Sequence, residues 1–186
     1  MLKYVNITSP FDDEVIESLK IGTVVLVSGV VYTARDAAHK RMVQALEADK
    51  ELPFDVKGQT IYYMGPSPAP PGRIIGSAGP TTSSRMDIYT LPLLDAGLKV
   101  MIGKGGRSSQ VKEAIRRHKA VYLAAIGGAG ALLSKTIKKA QIIAYPELAA
   151  EAVMRLEVEN FPAVVVNDSY GGDLITASRI SYREVH

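Results

Sequence analysis

Thr23-Val-Val-Leu-Val-Ser-Gly-Val-Val31 is almost continuously β-branched, and two residues later Ala34 to Ala48 (ARDAAHKRMVQALEA) begins. β-Branched side chains are stiff at χ1 and suit a pleated strand covered on both faces. In the second stretch Ala38, Met42, Ala45 and Leu46 recur at helical spacing among strong helix formers. A buried strand that feeds a helix across a short junction predicts an α/β fold.

Working outward, the same alternation returns. Thr60 to Met64 predicts a short strand, and Gly65-Pro-Ser-Pro-Ala-Pro-Pro-Gly72 must be an irregular surface loop. A strand is expected to resume over Ile74 to Ser77. A helix then starts in the Thr/Ser run after Gly79, runs through Asp95 and stops at Gly97. Leu98 to Ile102 reads as a strand, Gly103 to Arg107 as a glycine-rich turn, and Val111 to His118 as a helix capped by Ser108 or Ser109. Ala120 to Ile126 predicts a strand, Gly127 to Gly130 a tight turn, Ala131 to Ile137 a helix and Gln141 to Tyr145 a strand. The helical signal of Glu147 to Arg155 fades, and Ala163 to Ile175 predicts a hairpin turning at Ser169 to Gly172. The expected architecture is α/β, a mixed sheet with flanking helices, in one domain over residues 1–186.

Composition narrows the function. The chain has 186 residues, 47% hydrophobic and 22% charged, which argues against disorder. Lys and Arg number 22 against 19 Asp and Glu, a net charge of +3, too small for a dedicated nucleic-acid protein. Cysteine is absent, so the chain has no thiolate for a disulfide, a zinc ion or an iron–sulfur cluster. The N-terminal stretch meets Asp12, Asp13 and Glu14 before any apolar core of signal-peptide length, and no run approaches the roughly 18 apolar residues of a membrane span. The cytoplasm is the expected location.

Three places join glycines, hydroxyls and a cation. At Tyr32-Thr-Ala-Arg-Asp-Ala-Ala-His39, Arg35 and His39 are four apart and share one face at a helix start, where free N–H groups favour an anion; a solvated polar face is the plainer reading. Gly76 to Asp87 sets four consecutive hydroxyl residues before Arg85, more than one helix cap requires. Gly103-Lys-Gly-Gly-Arg-Ser-Ser109 joins a strand to a helix, but Lys104 precedes its glycines, so the phosphate-loop order fails. Gly127-Gly-Ala-Gly130 lacks dinucleotide spacing and serves backbone geometry. Cations beside flexible donors at strand ends mark a small-anion site.

Four stretches carry a family resemblance: Arg35-Asp-Ala-Ala-His39, Gly79-Pro-Thr-Thr-Ser-Ser-Arg-Met-Asp87, Ile102-Gly-Lys-Gly105, and Phe161-Pro-Ala with Asn167-Asp-Ser169 and Gly172-Asp-Leu174. In this order, from about residue 5 to about residue 175, they resemble the β subunit of iron–sulfur-dependent class I fumarate hydratase and of L(+)-tartrate dehydratase. The resemblance implies a swivelling β/β/α domain. It implies a hydro-lyase that interconverts fumarate and (S)-malate, with a 4Fe-4S cluster held by cysteines of a partner α subunit and none held here. It implies that Arg35, Arg85 and Lys104 grip substrate carboxylates. Thr81 matches a threonine suggested as the proton-transfer base, and His39 is a second acid/base candidate. L(+)-Tartrate dehydratase is the alternative enzyme. The alternative of another class is a non-catalytic anion- or nucleic-acid-binding module, disfavoured by 6% aromatic content without Trp.

Overall fold

A computed structural model describes residues 4–185. Its strands are β1 (Tyr4–Ser9), β2 (Val24–Thr33), β3 (Thr60–Tyr62), β4 (Val100–Gly103), β5 (Val121–Ala124), β6 (Ile137–Ala144) and β7 (Val153–Asn167). The helices are α1 (Asp13–Ser18), α2 (Asp36–Glu47), α3 (Asp87–Asp95), α4 (Ser109–Arg117), α5 (Gly130–Leu133) and α6 (Leu174–Val185). All seven strands form one mixed sheet in the order β1-β2-β3-β4-β5-β7-β6. The strands β1 to β5 run parallel, while β7 is antiparallel to β2, β5 and β6. Because β7 also pairs along β2, the ladder returns to its start: β2, β3, β4, β5 and β7 form a closed circuit, with β1 and β6 as added strands.

Strand alternation sorts side chains between two cores. Val25, Val27, Val31, Tyr62, Val100, Ile102, Val121, Leu123, Phe161 and Val165 fill the inside of the circuit. Ile61, Tyr63, Met101 and Tyr122 point outward and pack against Ala38 and Met42 of α2, Leu93 and Leu94 of α3, and Val111 and Ile115 of α4. The strands β3, β4 and β5 are therefore buried on both faces, as their largely apolar sequences require. At Gly29 (φ +96°) the β2–β7 register shifts, and a Cβ there would strike the Ser9 backbone. Gly97 (φ +102°) ends α3 as expected, and Ser108 caps α4 by accepting the Val111 N–H.

Three local expectations fail. Ile74 to Ser77 forms no strand: the Ser67 N–H is donated to the Ser77 carbonyl and the Ser77 N–H to Ser67 Oγ, which closes the proline loop on itself. The helix at Ala131 to Ile137 shrinks to α5 and a 3₁₀ turn at Ser134–Thr136, because buried Ile137 opens β6 opposite Val158. The second hairpin arm is a helix start. Asp173 makes one bridge to Asn167, then its carboxylate accepts the Ile175 and Thr176 N–H groups and launches α6. Among the described residues no helix is long and apolar enough to cross a membrane.

Candidate active site

The parallel strands direct their C-terminal ends to one edge, where the residues singled out above lie. Arg35 stands two residues beyond β2 and Lys104 directly follows β4. Between the ends of β3 and β4 the segment Thr81–Ser83 is inserted as a wedge. Thr81 donates its N–H to the Tyr63 carbonyl (2.7 Å), Lys104 donates to the Thr81 carbonyl (3.2 Å), and Ser83 donates to the Lys104 carbonyl (2.9 Å). The hydroxyl-rich run is thus sheet-edge backbone before it becomes a 3₁₀ turn (Ser83–Met86), and neither Thr82 nor Met86 caps a helix through its side chain. Ser83 turns inward, its hydroxyl 2.9 Å from that of Tyr122, which donates to the Gly105 carbonyl.

Arg35 and Arg85 meet at Asp36. Arg85 Nε donates to Asp36 Oδ1 at 2.9 Å, and Arg35 Nε lies 4.0 Å from Asp36 Oδ2. Arg35 also pairs with Glu151 at 3.5 Å, whose other oxygen accepts the Ala37 N–H. Gly65 admits this guanidinium: a Cβ there would sit 2.9 Å from Arg35 Nη1. The Arg85 side chain is 51% exposed and Arg35 22%, and Lys104 is exposed, its stem passing beside Gly127. Among the described residues Lys104 makes no ion pair, so its charge is available to a ligand.

His39 is buried, one turn into α2. Its Nδ1 is 2.9 Å from the Arg35 carbonyl, which can only accept, so Nδ1 carries the proton and Nε2 the lone pair. Nε2 is buried without a partner among the described residues, and the ring meets Tyr63 edge-on at 5.2 Å. Burial, together with the charge of Arg107, outweighs the Arg35 carbonyl and Asp36 and lowers its pKa to about 4. The ring is neutral at pH 7.

Two residues carry more of this edge than their sequence positions suggest. Asp36, within the solvated polar face, links both arginines. Arg107, within the glycine-rich turn, is fully buried: it pairs with Asp87 at 2.7 Å and donates to Tyr63 Oη (3.1 Å) and Thr90 Oγ1 (2.7 Å). Since Tyr63 also receives the Thr81 N–H, Arg107 anchors the floor of the wedge. Asp36 was findable as the acid adjoining Arg35; no spacing pairs Arg107 with Asp87.

Known proteins are similar to this sequence. The chain is 42% identical over 156 residues to "Fumarate hydratase class I, anaerobic" of Escherichia coli, covering 82% of this chain and 28% of that protein. It is 42% identical over 173 residues to "Fumarate hydratase 1, mitochondrial" of Leishmania major, covering 91% and 32%. Against the "Putative L(+)-tartrate dehydratase subunit beta" of Methanocaldococcus jannaschii it is 36% identical over 165 residues, covering 86% and 85%. It thus spans about a third or less of those two fumarate hydratases, but most of the relative whose name reads subunit beta. Residues 1–178 match the family described as fumarase C-terminus, and the chain belongs to that family.

Proposed function

We propose that this chain is the β subunit of a two-subunit hydro-lyase that reversibly hydrates fumarate to (S)-malate in the cytoplasm. The observation that carries the reading is the gathering of Arg35 and Arg85 on one carboxylate, beside the Thr81–Lys104 backbone pair, at the ends of three parallel strands. Two guanidiniums can each offer paired N–H donors to a carboxylate, and Lys104 adds a point charge. A doubly negative four-carbon acid suits that set.

In the dehydration direction, from malate to fumarate, the C–H bond next to a carboxylate breaks, its electron pair forms the C=C bond, and the hydroxyl leaves the neighbouring carbon as hydroxide. Charge builds on the carboxylate as the proton departs, and fixed cations aimed at it lower that barrier. We assign the proton transfer to Thr81 rather than His39. Thr81 is part-exposed at the open edge, whereas His39 is 0% exposed and holds its proton on the Arg35 carbonyl. A threonine hydroxyl is a weak base, so its alkoxide needs the Lys104 and Arg85 charges nearby. His39 then fixes the backbone that carries Arg35.

A 4Fe-4S cluster does not fit this chain's own donors. Such clusters are held by thiolates, cysteine is absent, and no group of three or more His, Asp or Glu among the described residues could hold a metal. In this reading an α-type partner chain supplies the thiolates that hold the cluster. The match to most of a tartrate dehydratase β subunit favours tartrate as the second substrate reading. The test is to purify the chain with and without its α-type partner and assay fumarate, malate and tartrate. Fumarate–malate turnover by the pair and none by the chain alone is expected. Turnover by the chain alone refutes the division of labour, and a pair inert toward fumarate and malate refutes the substrate.

A further inference from the structure

Asp36 poses a question: a carboxylate sits among cations that the reading above assigns to substrate carboxylates, where it should compete with them. Its geometry answers this. Asp36 takes the Nε edge of Arg85 (2.9 Å to Oδ1) and faces the Nε of Arg35 with its other oxygen (4.0 Å to Oδ2). No hydrogen bond of Arg85 other than that to Asp36 involves its side chain among the described residues, so its terminal Nη groups stay open at the surface. Arg35 Nε and Asp36 Oδ2 are both buried and unpartnered, so each is the other's nearest unmet need. Arg35 meanwhile pairs through Nη2 with Glu151 at 3.5 Å.

We propose that Asp36 is a positioning residue that clamps the Nε edges of Arg35 and Arg85 with one oxygen each, fixing the distance between the two guanidiniums that grip the ends of the substrate. The inference rests on the dicarboxylate reading. A ligand carboxylate drawing Arg35 away from Glu151 would let Arg35 Nε close the remaining gap to Asp36 Oδ2, so the half-made clamp completes as substrate loads. Asp36 is placed for this by the fold: it is the first residue of α2, whose start Glu151 pins through the Ala37 N–H at 2.8 Å.

Two readouts test the clamp. In the isolated chain, the Arg85 Nε–Hε proton, assigned by its loss in Arg85→Lys, should exchange with solvent more slowly than that of exposed Arg73 in NMR. Asp36→Ala should abolish the difference, and Asp36→Asn, which keeps an acceptor oxygen, should reduce it. In the two-subunit complex, Asp36→Asn should raise the KM for fumarate about tenfold while kcat changes less than about threefold, because loss of a charged partner loosens binding before chemistry. Melting curves establish that each variant folds, and should Asp36→Ala not fold, Asp36→Asn supplies both readouts. Exchange unaffected by the folded variants, or an unchanged KM in an active complex, overturns the clamp. A wild-type complex without turnover of fumarate, malate or tartrate refutes the dicarboxylate reading, and the exchange measurement then decides on the Asp36–Arg85 contact by itself.

Discussion

His39 should make the chain markedly weaker in mild acid, by an amount that follows from its burial. Its folded pKa of about 4 lies below the ordinary 6.5. Between these values the unfolded chain takes up a proton that the folded chain refuses, so stability rises with pH. The contribution is present in full above pH 6.5 and is lost as pH falls toward 4, about 3 kcal/mol across the window and about 2 kcal/mol by pH 5. For a domain of this size 2 kcal/mol moves a urea midpoint by roughly 1 M. The assay compares urea unfolding of the wild type and His39→Gln at pH 7 and pH 5. The variant is less stable at pH 7 but should lose roughly 1 M less on acidification. Asp13, Asp173, Glu113 and Glu157, held below their usual range by cationic partners, also destabilise the fold as they protonate. They do so equally in both proteins and cancel from the difference. Equal midpoint shifts in the two proteins, or an imidazole that titrates near 6.5 by NMR, would refute the reasoning.

Asp87→Asn should cost about 3–5 kcal/mol in unfolding free energy, because it strips the charge partner from the fully buried Arg107 guanidinium; a loss below about 1 kcal/mol would show that Tyr63 and Thr90 suffice to solvate that cation. Gly103→Ala drives a methyl into Ser83 Oγ and to 2.9 Å from Tyr63, so destabilisation of about 1–3 kcal/mol is expected, partly relieved in the double variant with Ser83→Ala. Additive losses would mean that Ser83 is not what the methyl strikes. Arg85→Ala in the two-subunit complex should lower kcat/KM for fumarate at least about tenfold, and near-normal kinetics would remove Arg85 from the substrate.

Much of this fold can be read from local sequence because the central strands are buried on both faces. Thr23 to Val31, Leu98 to Ile102 and Ala120 to Ile126 are mostly apolar, and each overlaps an observed strand, β2, β4 and β5. What escapes is what depends on distant partners. Arg155 to Glu159 looks charged and fading, yet Met154, Leu156 and Val158 alternate with Arg155, Glu157 and Glu159, the period of a strand with one covered face. That strand, β7, closes the circuit through pairing with β2 more than a hundred residues earlier, which no local window contains. The cations of the site are legible because glycines and hydroxyls flank them. Arg107 is not, since its importance lies in Asp87, Tyr63 and Thr90, the partners that folding brings it.

The closure of the sheet also restricts where a ligand could meet the central strands. With the inside of the circuit filled by Phe161, Tyr62 and aliphatic side chains, and its outside covered by α2, α3 and α4, neither face of β3, β4 or β5 is open to a ligand. Backbone groups become available only where a ladder ends. The wedge at Thr81 uses such an ending. By inserting between Tyr63 and Lys104 it satisfies their main-chain groups and leaves the Thr81 side chain part-exposed beside exposed Lys104. A threonine mounted this way has its backbone held by hydrogen bonds to Tyr63 and Lys104, which fix its Cα and leave χ1 to aim the hydroxyl. The same geometry leaves the cations on an open edge. In the proposed reaction, water there would screen these charges and weaken their hold on a developing carboxylate charge, so a second surface would have to cover the edge for them to act at full strength. That requirement, rather than the missing thiolates alone, is why the chain by itself should be a poor catalyst.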